Sequence, residues 1–338
     1  MVFKFSCEVV GLRDYLKDPA EVEFRFNSPI AAAVHLSKKH SDGREPPANA
    51  VCVATTTAEI EDERCAAEIQ AALSTPLDGR WANFKGVHAS RIPLLLAVID
   101  RVFGPLITLT ESTVSILRWR SGLSEGPADP LRHRSEHLSH DGESWLEISM
   151  ARSATITFGL PATPIEPSPE FEQRIVGLVS ERSEEPLGHQ LFREAWNQRG
   201  VHPRSALVIG VAAAEVGLKK LIGTLVPQAQ WLVDEIQTPS LGKMLRKYLP
   251  SLPIKGKLLG KKIAPPNNLI KKLERAVEYR NKLVHAGQAP PDREELEEML
   301  RAVLDLLWIC DVYVGQIWAA EYISHDTVVA WENEQVPV

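Results

Sequence analysis

The spacing of hydrophobic and polar positions divides the chain into two parts. In the first part, short runs enriched in β-branched and aromatic residues predict strands, and hydrophobic stripes at helical spacing predict two helices between them. The predicted strands cover residues 3–10, 22–26, 50–55, 113–120, 144–148 and 154–159, and the predicted helices cover 59–73 and 92–103. We therefore expect a mixed α+β domain over residues 1–160.

A proline-rich stretch separates this domain from the rest of the chain. Residues 160–169 contain four prolines, and proline removes a backbone donor that helices and central strands need. We therefore predict a linker over residues 161–169. Beyond it the hydrophobic spacing is helical, which predicts an all-α helical bundle over 170–320 and a C-terminal tail over 321–338. The predicted helices cover residues 170–179, 187–196, 205–226, 239–249, 267–287 and 292–319.

The last predicted helix is more apolar than one small bundle needs. Beside its inner stripe, Trp308, Tyr313 and Ile317 add apolar surface on another side. Excess apolar area of this kind indicates a contact with a partner subunit or with the N-terminal domain.

A polar segment in the N-terminal part contains several candidate metal ligands. Residues 121–143 are rich in glycine and proline and predict a long loop. The loop contains His133, His137, His140 and Asp141. Two histidines four apart can share a metal on a helix. Because the segment lacks hydrophobic periodicity and no second ligand cluster accompanies it, we predict a solvated loop and no metal site.

Composition describes an ordinary globular protein. Of the 338 residues, 44% are hydrophobic and 24% are charged. No apolar run approaches the ~20 residues that a membrane helix needs, and the first residues lack a signal-peptide pattern. We therefore expect no membrane contact and a cytoplasmic location. The four cysteines form no C-x-x-C pair and are expected to be reduced, mostly buried thiols. They are Cys7, Cys52, Cys65 and Cys310.

Basic residues are concentrated in one stretch of a chain whose net charge is -6. Between Leu241 and Leu273 there are nine basic residues and no Asp or Glu, which predicts one basic surface on an acidic body. A solvated lysine face is the alternative. The candidate RNA-binding residues are Lys243, Arg246, Lys247, Lys255, Lys257, Lys261 and Lys262, and Lys271 and Lys272 complete the nine.

The predicted helix over residues 267–287 ends with three polar side chains that can do chemistry. Arg280 lies within the hydrophobic stripe of this helix, so its charge needs a partner. Asn281 and His285 are four residues apart and share one surface of the helix. Gly287 is a stop signal. Arginine and histidine in a last turn also complement the helix dipole, which is the structural alternative.

A carboxylate interrupts the stripe of an earlier helix. Glu215 lies among the apolar positions of residues 205–226, where an aliphatic side chain would stabilise the bundle more. Its predicted partners are Lys219, one turn on, and Arg280 from the later helix. A purely structural ion pair remains the alternative.

These residues resemble motifs of the HEPN family (higher eukaryote and prokaryote nucleotide-binding domains). The sequence RNKLVH, from Arg280 to His285, is similar to the family's R-x4-6-H motif, and EVGLK, from Glu215 to Lys219, is similar to its E-x-x-x-K element. The resemblance covers about residues 185–320. It implies a HEPN-like helical bundle with metal-independent endoribonuclease activity and no cofactor.

The resemblance also implies roles and partners. His285 would be the general base or acid, Arg280 would hold the phosphate and Asn281 would orient imidazole or substrate, with Glu215 and Lys219 behind them. Because HEPN ribonucleases pair two motifs across a two-fold interface, this chain with one motif is expected to form a homodimer that acts on RNA. Many prokaryotic members are toxins or antiviral effectors, so residues 1–160 would sense a trigger ligand or partner. The alternative is a non-catalytic HEPN module that binds a nucleotide or a protein.

Overall fold

A computed structural model of the chain describes residues 2–9, 21–27, 31–40, 50–59, 67, 92–123, 130–139, 145–148, 168–235, 240–256 and 264–334. The chain divides into two compact units. Unit 1 comprises residues 1–121 and 129–184, and unit 2 comprises residues 122–128 and 185–338. A sheet dominates the described part of unit 1, and the described part of unit 2 is mostly helical. The broad fold prediction, an α+β part followed by a helical part, is therefore confirmed.

Unit 1 is built on an antiparallel sheet. In chain order its described elements are β1 (Val2–Val9), β2 (Glu21–Phe26), β3 (Ala32–His40), β4 (Ala50–Glu59), α1 (Ile92–Arg120), β5 (Leu131–Ser139), β6 (Leu146–Ile148) and α2 (Pro169–Ser180). The six strands lie in the order β2-β3-β4-β1-β5-β6. Every neighbouring pair is antiparallel.

Alternation along the strands places one face of the sheet in a core. In β1 every second residue is buried, as expected for a strand with one covered face. The register aligns Phe24, Val34, Thr56 and Phe5 across four neighbouring strands, and all four are fully buried. Helix α1 packs against this sheet. Thr110 on α1 lies 2.5 Å from the Thr56 hydroxyl, which gives both buried hydroxyls a partner.

The strand predicted over residues 113–120 is wrong, because this segment is the end of α1. Its β-branched residues suggested a strand, but the segment is helical, and every residue in it except Ser115 is buried. The Thr113 hydroxyl donates to the carbonyl of Leu109 at 2.7 Å, so the helix itself satisfies that polar group. Tertiary burial of this helical segment therefore outweighs the local strand preference.

The loop predicted over residues 121–143 is also wrong, because it contains β5. This strand is polar in sequence, but its backbone pairs with β1 and with β6. His133 and His137 therefore lie on a strand, and His140 and Asp141 lie outside the described residues. The sequence did not predict β3. The strand predicted over 154–159 and almost all of the helix predicted over 59–73 lie outside the described residues.

Helix α2 belongs to unit 1 and not to the helical bundle predicted from residue 170. It packs against α1 and β2 and buries Ile175. Ser168 caps its first turn by accepting from the N–H of Phe171, and Pro169 occupies the first helical position. The division between the units follows Glu184. Residues 161–167 of the predicted linker lie outside the described residues.

Unit 2 is a helical bundle. Its described helices are α3 (Leu187–Gln198), α4 (Pro203–Leu225), α5 (Gln230–Glu235), α6, α7 (Asn267–Ala286), α8 (Arg293–Val314) and α9 (His325–Asn333). We use α6 for one continuous helical run: an α turn at Leu241–Lys243, a π turn at Met244–Tyr248 and a 3-10 turn at Leu249–Ser251. Further 3-10 turns are Pro227–Ala229 and Ile317–Tyr322.

Glycines on α4 let α8 approach closely. Gly210 and Gly217 are seven residues apart and face Leu300 and Leu307, which are also seven apart on α8. A Cβ built on Gly217 would lie 2.3 Å from a methyl of Leu307, so this position has no room for a side chain without a shift. The seven-residue spacing on both helices is typical of two helices that cross along matching ridges.

Of the three apolar side chains predicted to be in excess, Trp308 and Tyr313 are covered within unit 2, whereas Ile317 lies in the following 3-10 turn and is 55% exposed. Helix α8 ends at Val314, because Gly315 adopts a left-handed φ of 111°, and not near residue 319. Trp308 and Tyr313 are 2% and 1% exposed. Trp308 contacts Trp318 and Tyr322, from the 3-10 turn that follows α8. The burial of these two side chains therefore needs no partner subunit.

The C-terminal segment predicted as a tail folds as α9 and belongs to the bundle. Ser324 caps the helix, and its own N–H and hydroxyl donate to the buried carboxylate of Asp305 on α8. Thr327 donates to the same carboxylate at 2.5 Å. Trp331 is 1% exposed. One buried acid and one buried tryptophan thus fix α9 to the helices before it.

Candidate functional site

Helix α7 buries only its first half. Leu269, Ile270, Leu273 and Ala276 are buried, and no residue after Ala276 in this helix is. Val284, which the spacing placed in the buried stripe, is 52% exposed. Gly287, with a φ of 66°, ends the helix as predicted, and its N–H donates to the carbonyl of Lys282. The last turns of α7 therefore project from the bundle.

Arg280 is held by a carboxylate from α4. Its Nη2 donates to Oε1 of Glu215 at 2.5 Å, and the two side chains are 25% and 32% exposed. The predicted pairing of Glu215 with Arg280 is confirmed. Among the described residues Glu215 forms no ion pair with Lys219, which is half-buried on α4. The contact fixes the position of the guanidinium next to the exposed end of α7.

Asn281 and His285 are exposed on the projecting end of α7. They are four residues apart, so they share a surface of the helix. Lys282 lies beside them and pairs with Glu278 at 2.6 Å. The hydrogen bond from Lys282 lowers the pKa of Glu278 and raises the pKa of Lys282. Because both side chains are exposed, the imidazole and the amide are accessible from solvent.

Arg280 and His285 do not point at one atom within a single copy. Five residues along an α-helix correspond to a rotation of about 140°. Arg280 contacts α4, whereas His285 is exposed. The two side chains thus face different sides of α7, as the spacing predicts.

A small cavity lies between the start of α6 and the exposed part of α7. Its volume is about 270 Å³. It is lined by Ser240, Leu241, Gly242, Glu274, Val277, Glu278, Asn281 and Lys282. Asn281 is therefore a wall residue of a cavity that α6 shares, which the sequence did not predict.

The candidate RNA-binding residues are not all equivalent. Lys243, Lys247 and Lys255 are exposed, and Lys257, Lys261 and Lys262 lie outside the described residues. Arg246 forms a two-pronged contact with Glu274 of α7, at 2.5 and 2.8 Å. This contact lowers the pKa of Glu274 and raises the pKa of Arg246. Arg246 therefore joins α6 to α7, which charge counting along the sequence did not reveal.

A second polar pair lies in the core of unit 2. His189 on α3 is 2.8 Å from Asp311 on α8, and both are buried. The imidazole also packs against Trp308, with 4.2 Å between ring centroids. Because the two residues are 122 positions apart, no local sequence pattern could have predicted the pair. It has no exposed surface for a substrate and serves the packing of α3 against α8.

Comparisons with known proteins found no relative. A scan against protein-family models, a search of curated proteins and a search of solved structures each gave no match to this chain. The resemblance to the HEPN family therefore rests on the two sequence motifs and stays a prediction. Within the described part of the chain, no helix is long and apolar enough to cross a membrane.

Proposed function

We propose that the chain is a metal-independent endoribonuclease of HEPN type, with Arg280, Asn281 and His285 at its active site. The observation that supports the proposal is the arrangement at the end of α7. Arg280 is held by Glu215, Asn281 follows it in the chain and is exposed, and His285 is exposed on a different side of the helix. RNA cleavage by protein side chains uses groups that transfer protons and a cation that stabilises the phosphorane, and an imidazole and a held guanidinium suit these roles.

In the proposed reaction the 2′-oxygen of a ribose attacks the adjacent phosphorus, and the bond from phosphorus to the 5′-oxygen breaks. A base takes the proton of the 2′-hydroxyl, and an acid gives a proton to the leaving 5′-oxygen. The imidazole of His285 suits either transfer. The hydrogen bond from Arg280 to Glu215 uses one of the five N–H donors of the guanidinium, so the others can bind phosphate oxygens. Arg280 therefore stabilises the negative phosphorane. The products are a 2′,3′-cyclic phosphate and a 5′-hydroxyl.

The proposed site needs a second copy of the chain. The reaction uses both a base and an acid, and one motif supplies one histidine. Within one copy, Arg280 and His285 face different sides of α7. Val284 gives the projecting helix end an exposed apolar side chain. We therefore place the dimer contact at this end of α7, where two histidines would face one phosphate.

The test is cleavage of total RNA by the purified protein in EDTA, followed by analysis of the ends. We expect cyclic phosphate and 5′-hydroxyl ends from wild type. His285→Ala should lower the rate about 10²- to 10⁴-fold, with a stability loss of at most about 1 kcal/mol, because His285 is exposed in a last turn. His202→Ala, which removes an exposed histidine before α4, is the matched control and should cleave normally.

Oligomeric state is measured on the same samples by light scattering. Wild type and His285→Ala should both be dimers at micromolar concentration. A folded, dimeric His285→Ala protein that cleaves as fast as wild type would overturn the catalytic proposal, and a strictly monomeric active enzyme would overturn the composite site.

A non-catalytic HEPN module is the second candidate function. The observation that favours it is the same ion pair, because the contact between Glu215 and Arg280 joins α4 to α7 without any substrate. Such a module would bind a nucleotide or a protein partner and would not cleave RNA. Binding without cleavage by wild-type protein, unaffected by His285→Ala, would select this candidate.

The proposed biological role is that of a toxin or antiviral effector, with unit 1 responding to a trigger. This role comes from the family resemblance. Expression of the wild-type chain should then arrest growth once the trigger is present, and expression of His285→Ala should not.

A further inference from the structure

An exposed tyrosine lies within the basic face of α6. Leu241, Leu245 and Leu249 are at most 3% exposed and hold α6 against the bundle. Lys243 and Lys247 are exposed, and Arg246 is exposed next to α7, where it pairs with Glu274. Tyr248 is 38% exposed on this same run. Part of the Tyr248 side chain therefore reaches solvent on the helical run that carries these exposed cations.

The π turn brings the tyrosine and a lysine to the same side of α6. The N–H of Leu249 donates to the carbonyl of Met244, five residues earlier. Such a turn is wider than an α turn, so residues five apart, such as Lys243 and Tyr248, lie closer to the same side than they would in an α-helix. Isolated π turns cost regular hydrogen-bond geometry and occur frequently at functional sites.

The start of α6 and the exposed part of α7 share one cavity. The first residues of α6, Leu241 and Gly242, line the cavity whose other wall includes Asn281. Arg246 further joins α6 to Glu274 of α7. The path from the exposed side of α6 to Asn281 therefore runs over Arg246 and Glu274.

We propose that α6 binds the single-stranded RNA that leads into the active site, with Lys243 and Lys247 on its phosphates and one base stacked on Tyr248. This inference rests on the proposed function, because it specifies the strand that reaches the same site. Exposed cations attract phosphates, and an accessible aromatic ring stacks with an unpaired base. The bases of a duplex are already stacked on each other, so the ring favours single strands.

The test measures binding without cleavage. The probe is a fluorescent 2′-O-methyl oligouridylate of about 12 nucleotides, which lacks the attacking hydroxyl, and the same strand in a duplex is compared. Tyr248→Ala should weaken single-strand binding about 5- to 140-fold. Tyr248→Phe should bind as wild type, because the ring and not the hydroxyl stacks. Trp231→Ala, which removes an exposed aromatic outside the basic stretch, should change nothing.

Salt dependence separates phosphate contacts from stacking. Neutral glutamine at both Lys243 and Lys247 should reduce the slope of log affinity against log salt by about 1.4, since each single-strand phosphate contact contributes about 0.7. Tyr248→Ala should keep the wild-type slope. Lys220→Gln, an exposed lysine on α4, is the matched control and should leave the slope unchanged.

Each outcome decides one proposal. Unchanged affinity in Tyr248→Ala, or equal dependence of duplex binding on Tyr248, would overturn this inference. If wild type cleaves RNA while Tyr248→Ala binds normally, the proposed function stands and the inference fails. If binding depends on Tyr248 but RNA is never cleaved, the inference stands and the ribonuclease proposal fails.

Discussion

Replacing Arg280 with alanine is expected to lower activity far more than stability. The guanidinium of Arg280 is 2.5 Å from the Glu215 carboxylate, and the side chains are 25% and 32% exposed. A hydrogen bond to a charged group contributes about 1.5–3 kcal/mol, and partial exposure reduces this. We therefore expect the free energy of unfolding to fall by about 1–2 kcal/mol, which lowers the Tm by about 2–8 °C.

The expected loss of activity is much larger. If Arg280 stabilises the phosphorane, its removal should lower the cleavage rate about 10²- to 10³-fold, as for other groups that stabilise charge in a transition state. Arg280→Lys should keep part of the stability and recover little of the rate, because lysine keeps the charge without the planar fork of donors. The rate at 25 °C is measured beside thermal unfolding by circular dichroism.

Arg199→Ala is the matched control for this experiment. Arg199 follows α3 and pairs at 3.1 Å with Glu297 of α8, with side chains 15% and 18% exposed. Its removal should destabilise unit 2 by a similar or larger amount and leave cleavage at the wild-type rate. A folded Arg280→Ala protein with wild-type rate would refute the role of Arg280. Equal losses of rate in both variants would assign the effect to stability.

Two further predictions concern the bundle. Gly217→Leu should lower the free energy of unfolding by about 1–3 kcal/mol through overpacking, since a Cβ there would lie 2.3 Å from Leu307. Adding Leu307→Ala should restore part of that loss. Denaturant titrations in which the two losses simply add would contradict the close approach. Trp331→Ala should lower the free energy of unfolding by about 3–5 kcal/mol, because the side chain is 1% exposed. Replacing the exposed neighbour Glu332 with alanine should leave stability unchanged. If the Trp331→Ala protein and wild type melt at the same temperature, α9 is dispensable for stability.

Much of the helical unit follows from local sequence. Hydrophobic spacing predicted α3, α4, α7 and most of α8 within a few residues. Gly287 ends α7 and Asp292 caps α8 by accepting from the N–H of Glu295. Both signals are local to about one helical turn. The glycine acts through its left-handed backbone conformation, and the aspartate acts by accepting from an N–H group that has no partner within the helix. The sequence also predicted the contact between Glu215 and Arg280, because each charge interrupts an apolar stripe and needs a partner.

The sheet followed its sequence less closely. The β-branched run after Leu109 suggested a strand, yet it completes α1, and polar β5 was assigned to a loop. Local preference for strand is weak, since it depends on what covers the side chains and which strands supply the backbone hydrogen bonds. For β5 these come from β1, more than 120 residues earlier in the chain.

The candidate site divides in the same way. The sequence by itself determined that Arg280, Asn281 and His285 lie near the end of one helix, because helical spacing and a glycine stop are local properties. Only the tertiary structure decided their exposure: burial of α7 stops at Ala276, although the hydrophobic pattern continues to Val284. It also folded the segment after residue 320 over α8, covering Trp308. Burial depends on which distant elements reach a surface, and periodicity records only that a surface is apolar.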